Sequence, residues 1–166
     1  IEIISSEDLI RVLLVNKKSN TSKRIKRISE FTLSLILLII TFPIIILFGI
    51  LIKLEDNGPI FYSQKRSGFA GQIFTIYKLR SMKINAEKDG IKWSSINDKR
   101  VTKVGKFLRM TRLDELPQLI SVLKGDMSLI GPRPERPEID EILTTKIPNY
   151  KIRYLVRPGI SGWAQV

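Results

Sequence analysis

The stretch FTLSLILLIITFPIIILFGILI, Phe31–Ile52, carries no charged residue, and its reading decides what kind of protein this is. As a continuous helix it is roughly 33 Å long, against about 30 Å for the hydrocarbon core of a bilayer. It is too long for the apolar core of a signal peptide, and no small-residue cleavage site follows it. Nothing later in the chain is apolar enough to enclose it in a soluble core, so lipid is the expected surrounding. Pro43, near the middle, removes a helix hydrogen bond and predicts a kink or break. The pieces on either side are roughly 18 Å and 14 Å long, too short for either to cross alone. Lys17, Lys18, Lys23, Arg24, Lys26 and Arg27 precede the segment, and Lys53, Lys65 and Arg66 follow it. Basic residues on both flanks favour keeping both ends in the cytoplasm. On the residues alone, a re-entrant helix-break-helix and a Pro-kinked span both stay open.

Composition narrows the chemistry on either side of that segment. The chain has 166 residues, 28 Lys and Arg against 16 Asp and Glu, and a formal net charge of +12. Such a balance implies an anionic partner: nucleic acid, an anionic lipid surface or a phosphorylated substrate. With no Cys there is no disulfide framework, thiolate nucleophile or cysteine zinc site. With no His, the commonest general base and transition-metal ligand are gone as well. Enzymatic chemistry here would fall to carboxylates, Lys, Arg, Tyr, Ser or Thr, with a hard ion such as Mg²⁺ as the natural metal.

The chain divides into a lead-in and linker over 1–22, the membrane segment with its flanks over 23–58, and a cytoplasmic domain over 59–166. The expected class is α+β: a membrane-associated N-terminal segment and a small, mainly helical domain with a short β-hairpin. Pro59–Gln64 and Gln72–Arg80 read as the two strands, with Phe74, Ile76, Lys78 and Arg80 on one face. Ser81–Lys88 reads as a short helix closed by a turn at Asp89-Gly90. Val101, Val104 and Leu108 predict an amphipathic helix from about Asp98 to Met110. Leu113, Leu116, Ile120 and Leu123 predict another, ending at Lys124-Gly125. Pro132, Pro134 and Pro137 predict a stiff loop. Ile139–Tyr154 reads as helix interrupted by Pro148, and Arg157-Pro158-Gly159 as a turn.

Pro117 is tolerated only near the start of a helix, which places Asp114 and Glu115 in its first turn. Free backbone N–H groups there favour negative charge and phosphate. An ionised Asp114 could attack phosphorus while Glu115 helps hold a divalent ion; equally, Asp114 could simply cap the helix. Arg133, between two prolines, presents a planar fork suited to phosphate oxygens. Lys78 and Arg80, with Gln64 and Arg66 opposite, form a basic strand face that is either a binding face or merely solvated. Nucleic acid is disfavoured there, because only Phe74 clearly offers a stacking platform on that face. Gly68 and Gly71 do not form a Walker-type loop.

Three runs carry a resemblance: Tyr77-Lys78-Leu79-Arg80-Ser81-Met82, Arg112-Leu113-Asp114-Glu115-Leu116-Pro117-Gln118, and Lys124-Gly125-Asp126-Met127-Ser128-Leu129-Ile130-Gly131-Pro132-Arg133-Pro134. With the closing Arg157–Val166 and in this order, they resemble the bacterial sugar transferase family, monotopic phosphoglycosyl transferases. The resemblance runs from about Lys23 to Val166. It implies a re-entrant hairpin broken at Pro43, entering and leaving by the cytoplasmic leaflet of the inner membrane. It implies transfer of a sugar 1-phosphate from a UDP-sugar to polyprenyl (undecaprenyl) phosphate, initiating exopolysaccharide, O-antigen, capsule or glycoprotein glycan assembly. By resemblance, Asp114 is the nucleophile of a phosphosugar-aspartyl intermediate that releases UMP. Glu115 assists at the Mg²⁺ site, which both carboxylates form, or in activating the acceptor. Arg133 and Arg109 bind substrate, with Lys78 and Arg80 as further substrate-binding candidates.

Two departures stand out. Phe42 precedes the membrane proline where many members carry Ser, with Thr41 adjacent as a substitute hydroxyl. Members also continue past Gln165-Val166, so the domain is expected to be incomplete at its C-terminus. Whether the chain forms a homodimer stays open. A membrane-anchored, non-catalytic lipid-carrier binder is the alternative class, and a glycosidase is disfavoured because adjacent carboxylates cannot readily flank one glycosidic bond.

Overall fold

The computed structural model describes residues 20–86, 88 and 98–162. Most of the lead-in, the turn expected at Asp89-Gly90 and the closing Trp163–Val166 lie outside the described residues.

The apolar stretch forms the core of α1 (Asn20–Asp56), which continues helical through Pro43. The break expected at Pro43 is therefore not a change of secondary structure. Proline deletes one hydrogen bond and crowds one carbonyl, a local defect that a long helix can carry as a distortion. Thr41 donates its hydroxyl to the Leu37 carbonyl at 2.7 Å. That is the carbonyl four residues back, not the Ile39 carbonyl that Pro43 leaves without its helical donor.

Burial along α1 is one-sided. Ser34, Ile45, Gly49 and Ile52 face the rest of the chain, while Ile39 and Ile40 on the other side are 65% and 63% exposed. Both ends are tied to the same domain. Arg27 donates to the carbonyls of Val122 at 2.6 Å and Leu123 at 2.8 Å, and Glu30 accepts from the Ser128 hydroxyl. At the other end the Glu55 carboxylate accepts from the backbone N–H of Lys103 at 2.7 Å and Val104 at 3.2 Å.

After α1 come β1 (Phe61–Ser67) and β2 (Ile73–Leu79), the expected antiparallel hairpin, with Tyr62 opposite Lys78 and Gln64 opposite Ile76. Its tip needs positive φ at Ala70 and Gly71. Ser81–Lys88 is not the helix expected. Met82 bridges Val101, and Lys83 donates to the Arg100 carbonyl at 2.8 Å, so pairing with a distant segment overrides local propensity.

The next helix, α2 (Lys103–Thr111), starts later than its apolar spacing suggests. The Asp98 carboxylate accepts from the Arg100 N–H at 2.9 Å, an Asx-type turn that competes with helix, and Thr102 takes over as the cap. Arg112 then adopts φ 60°, and Leu113–Gln118 follows as a 3-10 segment leading into α3 (Leu119–Lys124). The single helix expected from Leu113 is thus a tight turn joined to a short helix, broken from α2 by a left-handed residue.

Two more strands, β3 (Ser128–Ile130) and β4 (Gly159–Ser161), pair in parallel. A Cβ on Gly159 would lie 2.1 Å from the Gly131 nitrogen, so that close approach requires glycine. Between them run α4 (Pro137–Lys146) and a 3-10 turn, Tyr150–Leu155, the interrupted helix expected there. Arg157-Pro158-Gly159 delivers the chain into β4.

Two apolar clusters hold these pieces. Ile45 and Ile52 of α1 pack with Leu79 and Leu108, and Ile76, Val122 and Met127 close the layer between hairpin and α3. At about 25 cal/mol per Å² of apolar surface, each fully buried side chain of this size contributes about 2 kcal/mol. Between the two clusters lies the 3-10 segment that carries Asp114 and Glu115.

Candidate active site

Arg112 determines where the two carboxylates point. Its left-handed backbone turns the chain sharply, so that the short 3-10 segment tucks beneath β2 with Asp114 and Glu115 both buried. From β2, Lys78 brings its ammonium to 2.6 Å from Glu115 Oε1. The loop after β3 brings an Arg133 Nη2 to 3.1 Å from the same oxygen. A carboxylate from a tight turn, an ammonium from a strand and a guanidinium from a proline-bounded loop thus converge on one point.

Asp114 differs from its neighbour. Its Oδ1 is buried with no hydrogen-bond partner among the described residues. Burial pushes its carboxyl above the ordinary value, Glu115 adds to the rise, and Lys78 and Arg109 oppose it. Burial also pushes Glu115 upward, but Lys78 and Arg133 outweigh it and hold that carboxyl below its ordinary value. Lys78 is lowered by burial, against the pull of Glu115. Two adjacent carboxylates are therefore split, one kept ionised by contact with cations and one left poorly solvated and without a partner among the described residues.

The other predicted residues fall on either side of this cluster. Arg109, in the last turn of α2, donates from Nε to the Ser81 hydroxyl at 2.9 Å and acts on Asp114 electrostatically. Arg80 does not join. It is 6% exposed, and its two terminal nitrogens grip both oxygens of Asp56 at the end of α1, one of them at 2.8 Å. Arg80 thus ties the hairpin to the long apolar helix α1. A Cβ on Gly58 would collide with its guanidinium, which explains the glycine there.

Arg66, already named from the sequence as part of the basic hairpin face, is joined here by Gln118, which the sequence did not single out as a site residue. Together with Lys78, Arg133, Pro134 and Gly159 they line a narrow cleft beside the carboxylates. Arg66 donates to the Pro134 carbonyl at 3.0 Å. Its alternation with Gln64 along β1 was the available signal. Gln118 carried none beyond its place in the motif.

The donor set suits a hard divalent ion. Asp114 and Glu115 offer oxygen ligands only, and Asp114 Oδ1 lacks any competing partner. Among the described residues no third acidic side chain joins them, so the remaining ligands would be substrate phosphate oxygens and water. Mg²⁺ is commonly held in this way. Cations flanking a buried carboxylate are also what phosphoryl chemistry needs.

Comparison with known proteins identifies the family. A family profile described as bacterial sugar transferase matches residues 21–166. A Bacillus subtilis (strain 168) protein, provisionally named undecaprenyl-phosphate N-acetylgalactosaminyl 1-phosphate transferase, is 50% identical over 144 residues, 87% of this chain and 80% of that protein. The UDP-N-acetylgalactosamine-undecaprenyl-phosphate N-acetylgalactosaminephosphotransferase of Aeromonas hydrophila is 48% identical over 142 residues, covering 86% of this chain and 34% of its own length. The UDP-glucose:undecaprenyl-phosphate glucose-1-phosphate transferase of Escherichia coli (strain K12) is 40% identical over 148 residues, 89% of this chain and 32% of that protein. The chain therefore spans most of one relative but about a third of the other two. With a family match over almost all of its length and a relative 50% identical over most of both chains, this chain belongs to the bacterial sugar transferase family.

Proposed function

We propose that the chain transfers a sugar 1-phosphate from a UDP-sugar to undecaprenyl phosphate at the cytoplasmic face of the bacterial inner membrane, initiating assembly of a surface or glycoprotein glycan. The observation that carries this reading is the buried, unpartnered Asp114 oxygen beside the Lys78–Glu115–Arg133 cluster. The names of the relatives support the substrates.

In the first step the Asp114 carboxylate attacks the β-phosphorus of the donor. A P–O bond forms to the aspartate as the bond to the bridging oxygen breaks, and UMP leaves with that oxygen. In the second step an oxygen of undecaprenyl phosphate attacks the same phosphorus. The aspartyl bond breaks, and undecaprenyl-diphosphate-sugar departs with the carboxylate restored. Splitting the transfer this way means that donor and acceptor need not be bound together. Arg133 and Lys78 stabilise charge on the phosphoryl oxygens, and Arg109 and Arg66 enlarge the positive field around the diphosphate. Glu115, held ionised by its cations, orients both of them. When held by Asp114 and Glu115, Mg²⁺ supplies further neutralisation of the charge on the transferred group.

The membrane helix fits the same picture. Its outward face is apolar and open, as required for contact with lipid, and its length and hydropathy are those of a candidate span. Both ends are fastened to one domain, which favours an arrangement that enters and leaves by the same leaflet over one that strands an end across the bilayer.

A half-reaction tests the chemistry. Purified protein in nanodiscs receives Mg²⁺ and UDP-N-acetylgalactosamine or UDP-glucose labelled in the β-phosphate, without lipid acceptor. The expected result is covalent label in the wild type, none in Asp114→Asn, and release on adding undecaprenyl phosphate. Product formed without any labelled enzyme would refute the aspartyl route while leaving the overall transfer intact.

A further inference from the structure

The loop Gly131–Arg136 is held almost atom by atom through its backbone. The Gly131 N–H donates to the Ser161 carbonyl at 2.9 Å, and the Pro132 carbonyl accepts from the Gly159 N–H at 2.9 Å. The Pro134 carbonyl accepts from Arg66 at 3.0 Å, and the Glu135 carbonyl accepts from the Ser67 N–H at 2.9 Å. The carbonyl of Arg133 itself accepts from an Nη of Arg153.

Arg153 comes from the 3-10 turn after α4 and belongs to a network the transfer reaction does not use. Its other Nη donates to the Tyr150 hydroxyl, and that hydroxyl donates to Asp140 Oδ1 at 2.7 Å. The Arg153 guanidinium also lies 4.7 Å from the centre of the Tyr150 ring. Asp140 is 4% exposed. Burial, and then its bond to Asp140, push the Tyr150 hydroxyl well above its usual range, so it remains a neutral donor. The buried Asp140 carboxylate is costly to desolvate, and through Tyr150 and Arg153 this network reaches beyond its own helix and turn to the Arg133 carbonyl.

That carbonyl matters because of what the prolines leave free. Pro132 and Pro134 fix their own φ, and Pro134 biases Arg133 towards an extended ψ without locking it. The residual freedom is rotation of the Arg133–Pro134 peptide, and a long side chain magnifies such rotation at its tip. We propose that Arg153, oriented by Tyr150 and Asp140, is a positioning residue that pins the Arg133 carbonyl and so fixes the Arg133 guanidinium on Glu115. It deepens the transferase reading given above and rests on it for its kinetic consequence. Misplacing such a group by about 1 Å costs on the order of 10²-fold in rate.

A double-mutant cycle in nanodiscs tests it, with UMP release from UDP-N-acetylgalactosamine and UDP-glucose as the readout. Arg153→Ala is expected to lower kcat by about 10- to 100-fold in the wild-type background, with KM changed less. In the Arg133→Ala background it is expected to cost less than about threefold, because the group it positions is gone. A merely structural role would lower both backgrounds by the same factor, and that additivity would overturn the proposal. Tyr150→Phe keeps the ring and loses the hydroxyl, so it carries the same comparison if Arg153→Ala folds poorly. Hydrogen exchange supplies an arm that needs no turnover. The Ser67 and Gly159 amides, which donate into the loop, are expected to exchange about fivefold faster in either variant, the loss of about one net hydrogen bond, while hairpin amides keep their protection. Unchanged exchange at both would overturn the proposal. Wild-type protein inactive on both donors would count against the transferase reading, and the exchange arm would still decide whether Arg153 holds the loop.

Discussion

Lys78 near the end of β2 and Arg80 just past it lie two residues apart, and each meets a carboxylate, yet the two junctions differ in kind. At Arg80 a forked cation meets both oxygens of Asp56, and Gly58 leaves room for the fork. Both Asp56 oxygens are paired there, with the Arg80 Nε left without a partner among the described residues. At Lys78 two cations crowd one oxygen of Glu115, while Asp114 keeps an oxygen with no partner. A matched junction holds structure together. In the transfer proposed above, a mismatched one stores the means to bind and react, at a cost in stability that other parts of the fold must offset.

The largest expected effect breaks the comparison at Asp114. Asp114→Asn should lower transfer by about 10⁴-fold or more, the scale seen when a nucleophile is removed, measured as lipid-linked product per hour. Next, Arg133→Ala should cost about 10² to 10³ in kcat, the range for a group stabilising transition-state charge. At the matched junction the pattern should reverse. Arg80→Ala should lower unfolding stability by about 1–2 kcal/mol, read by denaturant titration, because it removes the charged hydrogen bonds to half-buried Asp56, while turnover per folded molecule stays within about threefold. A loss of turnover larger than the loss of folded protein would place Arg80 in the binding machinery after all.

The smallest effect sharpens the contrast between the neighbouring carboxylates. Asp114 has its folded value raised above the ordinary 3.8, so its contribution to stability is present when it is protonated and is lost as pH rises through the folded value. Glu115 has its value lowered from 4.5, so its contribution is present above that value and is lost as pH falls through the folded one. In thermal melts at pH 7, Asp114→Asn should therefore melt higher than wild type, and Glu115→Gln lower. Both differences should shrink as the buffer is taken towards pH 3.

The hairpin, the apolar helix and the clustered motif residues were legible because each repeats a local pattern or fills a stretch of its own. Lys78 and Arg80 were indistinguishable at that level: strand alternation puts both on one face, and only the end of α1 arriving beside Arg80 separates them. The helix expected over Ser81–Lys88 failed because Met82 finds Val101 across an intervening segment. Strands β3 and β4 have three residues each and pair across the whole of α4, so no periodicity announces them. Asp140, Tyr150 and Arg153 likewise lack a motif, since their relation to Arg133 exists only after folding.

The bonds from Arg27 to the carbonyls of Val122 and Leu123 join the foot of the apolar helix to the element that follows Asp114 and Glu115. With Asp56 and Arg80 fastened at the far end, the helix would work as a depth gauge in the membrane arrangement proposed above. Its apolar length would settle at the level the hydrocarbon dictates, and Asp114 would be carried to a set height above it. An acceptor whose phosphate rides in the headgroup plane would then meet the enzyme at that height, and its hydrocarbon tail would not have to leave the membrane.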